Sequence, residues 1–422
     1  MVKMIEIVNY DDVDEEFFKR RWLKEIKIVK RILKEVREKG DEAVKRYTEK
    51  FDGAKLESLE VSRSEIKRSY KLVNGETMDA LKQAAENVRF FAKKQMAQLK
   101  DFRVKRKGVT LGQKIIPLER VGCYVPGGRY PLPSSALMSV IPAKVAGVKE
   151  VIVCSPKIAP VTIVAADLAG ADRIFSIGGA QAIGAMAYGT ETVPKVDKIV
   201  GPGNKYVIAA KKEVYGLVGI DFIAGPSEIL IIADETADPK LIALDLLAQA
   251  EHDPNAKSTL VTTSKRVGER VNEELKVELA ELKTKPIVKL ALRNGKIIVV
   301  DDLDQAVEVS DRIAPEHLEL HVRRPREIMG KLRNYGALFI GKYSAEVFGD
   351  YCSGVNHILP TNGAARYAGG LSVRDFVKIL TYQKISKEGA ERLIKAAARL
   401  AEIEGLDAHK KAVEARRICP IR

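Results

Sequence analysis

The feature that most restricts this chain is a regular exchange of short apolar runs and helical segments from residue 134 onward. Ser134–Ala146 reads as a helix, Glu150–Cys154 as a buried strand, Val161–Ala169 as a helix closed by Gly170, and Arg173–Ile177 as a strand. Val196–Val200, the helix Lys205–Val214 and the strand-like Asp221–Ile232, broken at Gly225-Pro-Ser227, continue the pattern. It resumes with strands at Leu260–Thr263, Gly295–Val300, Leu318–Val322 and Ala337–Ile340, and with helices at Lys265–Leu282 and Leu303–Ile313. Strands separated by helices build βαβ units and parallel sheets. A chain of 422 residues is too long for one ordinary core. The expected fold is therefore α/β: two Rossmann-like parallel-sheet domains with helical N- and C-terminal extensions. The expected boundaries are a helical extension over 1–24, a discontinuous α/β domain over 25–120 plus 236–370, a second α/β domain over 121–235, and a helical tail over 371–422 that starts with a helix at Asp375–Leu380.

Composition removes several classes. No apolar run approaches the roughly 20 residues that span a bilayer. Met1–Tyr10 lacks a basic stretch followed by an apolar one, so no signal peptide and a cytoplasmic protein are expected. The four cysteines, at 123, 154, 352 and 419, form no Cys-x-x-Cys pair and are expected to be reduced and mostly buried. A net charge of +14 nominates nucleic acid as a partner. The basic residues, however, are interleaved with acids, as in Lys19–Glu25, and only Arg103–Lys107 is a cluster without them. Aromatics are 6% and follow no stacking pattern. A solvated surface attractive to small anions is expected, with neither nucleic acid nor membrane as partner. Abundant Lys and Glu with few Cys and Met would suit a thermophilic source.

Two kinds of segment carry chemistry. The first is glycine-rich: Tyr124-Val-Pro-Gly-Gly-Arg129, Gly178-Gly-Ala-Gln-Ala-Ile-Gly184 and Gly201-Pro-Gly-Asn204. Ligands of open parallel sheets bind beyond the carboxyl ends of the strands, where the last two stand. Neither matches Gly-x-Gly-x-x-Gly, so a dinucleotide site and a tight packing turn both remain open. The second kind holds four of the five histidines. Asp238 and Pro239 open a helix that brings Gln249 and His252, three apart, to one face. His317 follows Glu316, His357 lies seven after Asp350, and His409 lies five after Glu404. His321 sits inside an alternating strand and reads as structural. Imidazoles and carboxylates without thiolate suit zinc and tolerate manganese or cobalt. An adjacent Glu-His pair can instead divide acid and base roles. Spacing does not say which groups bind metal, and it does not nominate Gln249, a neutral amide.

Longer motifs point to one family. Tyr124–Gly128, Gly178–Ala182, Val200–Asn204, Ala224-Gly-Pro-Ser-Glu228, Leu246–Asp253, Pro315-Glu-His-Leu318, Gly349-Asp350 with Asn356-His357, and Glu404–His409 together resemble histidinol dehydrogenase, in the same order. The resemblance implies a four-electron oxidation of L-histidinol to L-histidine through the aldehyde, with two NAD⁺, as the last step of histidine biosynthesis. It implies one Zn²⁺ per subunit, held by Gln249, His252, Asp350 and His409, with Glu316 and His317 as the acid–base pair. Ser227, His357 and Glu404 would contact substrate, with Gln249, His252, His317, Asp350 and His409 also near it. Tyr124, Gln181 and Asn204 would contact NAD. Metal and catalytic groups would then lie in the discontinuous domain and the dinucleotide on the 121–235 side. The resemblance also implies a homodimer whose intertwined tails bring Glu404 and His409 into the partner's site.

Overall fold

Every strand of the two large sheets is parallel to its neighbours. The computed structural model describes residues 4–19, 26–127 and 130–417, so the Arg20–Glu25 stretch, Gly128, Arg129 and Cys419 lie outside it. The strands are β1 (Glu6–Asn9), β2 (Phe102–Arg106), β3 (Val109–Pro117), β4 (Arg120–Tyr124), β5 (Glu150–Cys154), β6 (Arg173–Phe175), β7 (Lys198–Val200), β8 (Gly219–Ile220), β9 (Glu228–Ala233), β10 (Lys257–Thr262), β11 (Lys296–Val299), β12 (His317–His321), β13 (Ala337–Ile340) and β14 (Val377–Ile385). The helices are α1 (Lys27–Asp52, kinked at Gly40), α2 (Arg63–Leu72), α3 (Gly75–Met96), α4 (Pro133–Val145), α5 (Pro160–Ala169), α6 (Gly179–Tyr188), α7 (Lys205–Val214), α8 (Pro239–Ala250), α9 (Lys265–Glu281), α10 (Lys285–Ala291), α11 (Leu303–Ile313), α12 (Arg326–Met329), α13 (Glu346–Tyr351), α14 (Lys387–Ile403) and α15 (Asp407–Glu414). The five-stranded sheet has the order β6-β5-β4-β7-β8, and the six-stranded sheet β1-β11-β10-β9-β12-β13. Central strands such as β9 are buried along their whole length, as strands covered by helices on both faces must be.

The packing corrects the expected boundaries in three places. Residues 1–24 were expected to be a helical extension. Instead Glu6–Asn9 pairs in parallel with Lys296–Val299 and forms the edge of the six-stranded sheet. The helices α1–α3 were expected with residues 236–370, but their apolar faces are buried on the other side. Val29, Ile32, Leu33 and Val36 pack with Ile183, Ala187 and Val207. Ala84, Ala85 and Val88 pack with Val140, Ile141 and Val164 of α4 and α5. Conversely, β9 lies inside the expected 121–235 block yet is central in the six-stranded sheet.

The third correction is the tail. The expected helix at Asp375–Leu380 is a short 3₁₀ turn, Val373–Phe376, followed by β14. Thr381, Tyr382 and Ile385 favour an extended chain, and the partner strand β3 is distant in sequence. With β2 these strands make a three-stranded antiparallel sheet. The helices α14 and α15 follow as expected. Among the described residues no helix is long and apolar enough to cross a membrane.

Candidate functional site

The two large sheets present opposite ends to the candidate groups. In the five-stranded sheet these lie at the carboxyl ends. Tyr124 is the last residue of β4, Gln181 lies in the first turn of α6, and Asn204 caps α7 after β7. Tyr124 is buried and its hydroxyl accepts the Gly179 N–H at 3.1 Å, which ties β4 to the turn before α6. The side-chain oxygen of Asn204 accepts from the N–H groups of Tyr206 and Val207. The carbonyl oxygen of Gln181 is buried without a hydrogen bond. Between these turns a buried Lys211–Asp221 ion pair pins the loop: Lys211 donates to the Gly201 carbonyl at 2.9 Å, and Asp221 accepts the Gly201 N–H at 2.8 Å. Gly201 has φ +113°, and a Cβ there would stand 2.1 Å from the Tyr124 carbonyl oxygen, so only glycine fits. Strand order reverses between β4 and β7, which is where such sheets open a crevice.

In the six-stranded sheet the groups gather at the amino ends. Glu316 and His317 stand at the start of β12, and Ser227 and Glu228 at the start of the adjacent β9. The reason is the helix supplying the other ligands: α8 runs back from the carboxyl ends, so its C-terminal turn delivers Gln249 and His252 to the amino ends. There α13 adds Glu346 and Asp350, four apart on one face.

Distances define one cluster. His317 Nδ1 is 2.8 Å from Gln249 Oε1 and 3.2 Å from Glu346 Oε2, while Nε2 lies 3.6 Å from Asp350 Oδ1 with no hydrogen bond. His252 Nε2 lies 3.7 Å from Asp350 Oδ2. Glu316 accepts the Glu228 N–H at 2.9 Å, and its carboxylate lies 4.0 Å from His317. His357 joins the two sheets' helices. Its Nδ1 donates to the Asp350 carbonyl at 2.7 Å, so its Nε2 accepts from Ser135 of α4 at 3.2 Å.

Burial sets the electrostatics. It raises Glu316 to about 8, helped by Glu228 and Asp350 and opposed by His317. It raises Glu228 to about 7. For His317 burial alone would lower the proton affinity, but Glu346, Glu316 and Asp350 outweigh it and lift the imidazole to about 10. Burial likewise opposes ionisation of Asp350, and the nearby His317 imidazole outweighs it and holds the carboxyl below its ordinary range. Burial keeps His357 low, in line with its neutral hydrogen-bond pattern. Cys123 is buried and raised to about 12 by that burial, so it offers no thiolate; Cys154 is buried and Cys352 half-buried, and all three are free.

The structure thus brings Gln249, His252, Glu316, His317, Asp350 and His357 together, with Ser227 beside them. It does not bring Glu404 and His409. Glu404 ends α14, His409 lies on α15, and both are exposed. Among the described residues, the group able to hold a metal here is His252, Glu346 and Asp350. The donor set of His252 and Asp350, beside the buried Gln249 amide whose Nε2 has no partner, fits a divalent cation that one chain leaves short of ligands. Sequence reasoning missed Glu346 and Glu228. For Glu346 the available signal was its spacing from Asp350.

Comparison with known proteins finds one family over nearly the whole chain. The histidinol dehydrogenase family model matches residues 19–417. The histidinol dehydrogenase of Methanocaldococcus jannaschii is 50% identical over 393 residues, 92% of this chain and 91% of that protein. The one from Clostridium acetobutylicum is 47% identical over 99% of this chain and 100% of its own length. The crystal structure of histidinol dehydrogenase from Elizabethkingia anophelis superposes with a TM-score of 0.93 at 38% identity, covering 98% of both chains. With the fold, the order of motifs and the full-length similarity in agreement, the chain belongs to the histidinol dehydrogenase family.

Proposed function

We propose that this chain oxidises L-histidinol through the aldehyde to L-histidine, with two NAD⁺ and a zinc ion, in the cytoplasm. The observation that carries the proposal is the meeting of Gln249 from α8, Glu316 and His317 from the start of β12, and Asp350 from α13, at the amino ends of one sheet. Gln249, His252 and Asp350 would hold the metal, with His409 of a second subunit completing it. Zinc, when bound there, supplies positive charge that polarises the substrate's donor groups and lowers the proton affinity of nearby acids. Tyr124, Gln181 and Asn204 would hold NAD⁺, which would supply the hydride acceptor for each oxidation. With the zinc charge beside it holding its proton affinity below the value of about 10 that the carboxylates alone impose, His317 would take the hydroxyl proton through Nε2. Glu316, held at about 8 by burial, exchanges a proton with the water that hydrates the aldehyde. Ser227, His357 and, from the second subunit, Glu404 would position the substrate. Closing the site around the aldehyde keeps it from solvent.

Support for a homodimer lies in the tail: Leu400 and Ile403 are 59% and 66% exposed beside Glu404, an apolar surface out of keeping with a free helix end. The test is NADH formed per histidinol consumed, with and without a chelator. Two NADH and chelator sensitivity are expected. One NADH with free aldehyde, or full activity in excess chelator, would sink the proposal.

A further inference from the structure

The carboxylate of Glu346 is the least satisfied group in the cluster. The residue is 1% exposed, and neither carboxylate oxygen has a hydrogen bond. Oε2 stands at ion-pair distance, 3.2 Å, from His317 Nδ1. That nitrogen donates instead to the amide oxygen of Gln249, at 2.8 Å. The amide oxygen is also the atom of Gln249 able to meet a cation. A carboxylate is the stronger acceptor for an imidazole N–H, and it alone supplies charge. The carboxylate is also built into place. The Glu346 N–H donates to Glu319 Oε1 at 2.7 Å, and Glu319 Oε2 lies 3.2 Å from His321 Nε2. His317, Glu319 and His321 share one face of β12, since side chains alternate along a strand. One strand therefore anchors the first turn of α13 through residue 319 and receives its carboxylate at residue 317.

We propose that Glu346 is a positioning residue for His317. When the Gln249 oxygen is engaged by metal, Glu346 accepts the Nδ1–H. This fixes the tautomer whose Nε2 carries the lone pair. When the substrate O–H bond breaks, its proton goes to Nε2 as hydride leaves the adjacent carbon for the nicotinamide, and the imidazolium so formed is stabilised by the Glu346 charge. Burial raises the proton affinity of Glu346 and the charge of His317 opposes that rise; with the imidazolium beside it Glu346 takes up no proton in the step. The arrangement is that of an orienting carboxylate behind a histidine base. This inference rests on the assignment of His317 as the base.

The test compares Glu346→Gln, Glu346→Ala, His317→Ala and the double variant Glu346→Ala/His317→Ala in the full-length, zinc-loaded protein. Kinetics are followed by NADH formation, and zinc retention by competition with a chelator. Glu346→Ala should lower kcat about 10- to 100-fold, with KM and zinc retention unchanged, as orienting partners do. Glu346→Gln, which keeps an acceptor and loses the charge, should fall between it and the parent. On the His317→Ala background the second substitution should add nothing, because a positioning residue acts only through its partner. A purely structural role would instead give additive losses, and would overturn the proposal. So would loss of zinc in step with activity, which would make Glu346 a metal ligand. Full activity of Glu346→Ala beside a slow His317→Ala would sink the proposal alone. Full activity of His317→Ala would sink the base assignment and the proposal with it. Because Glu346→Gln keeps the side-chain volume, it remains informative if Glu346→Ala fails to fold.

Discussion

In the five-stranded sheet the chain runs from β4 outward through β5 and β6, then returns to β7 and β8 on the far side of β4. In the six-stranded sheet it runs from β9 through β10 and β11, then returns to β12 and β13 on the far side of β9. The winding is the same, but the candidate groups are at opposite ends. At the carboxyl ends of the first sheet, α6 and α7 begin, and their positive dipole ends suit the phosphates of a dinucleotide. At the amino ends of the second, α8 finishes, and its carbonyl-bearing, negative end suits a cation. One topology thus has one end suited to an anion and one end suited to a cation, and the side chains decide which end is furnished.

Three substitutions test whether the two ends can be separated. The largest effect is expected from Lys211→Met, which leaves Asp221 buried without its partner. A loss of about 3–5 kcal/mol in urea unfolding is expected, with weaker dinucleotide binding and zinc retention intact. Equal damage to zinc retention would show that the ends are not independent. Gly201→Ala should cost less, about 1–3 kcal/mol by the same measurement, the usual range for forcing an atom into a packed site. Its dinucleotide affinity should drop, because the added Cβ displaces the Tyr124 carbonyl. A third effect, which depends on pH, belongs to the second sheet. Burial, then the neighbouring Glu319, raises Asp245 from 3.8 to about 8. The folded protein therefore holds this proton more tightly than the unfolded chain, and the contribution of Asp245 to stability is full below about pH 3.8 and lost as pH rises towards 8. Asp245→Asn should flatten that decline in unfolding midpoints measured across the range, without altering dinucleotide affinity. An unchanged slope would remove Asp245 as its source.

Much of this was legible in local pattern. The helices Lys205–Val214 and Leu303–Ile313 have the bounds read from the sequence, because capping residues and apolar period agree there. What escaped depends on distant partners. Residues Val377–Ile385 are a strand because β3, more than two hundred residues earlier, is there to pair with them. Which sheet α1 and α3 cover escaped as well, because no local pattern names the surface that a helix is buried against. The sequence set Gln249 beside His252; only the antiparallel return of α8 shows that they meet Asp350 at the amino ends. Glu346 escaped because its chemistry comes from losing every hydrogen-bond partner to burial, a property of the fold and not of its neighbours in the chain.

His357 gives the junction between the sheets a further property. Its ring is held at one nitrogen by the Asp350 carbonyl and at the other by the Ser135 hydroxyl, which belongs to the opposite half of the molecule. Both bonds survive only while the halves keep their spacing. The ring is thus a gauge of closure: its two nitrogen resonances would move together if the halves shift as rigid units, and separately if only α13 adjusts.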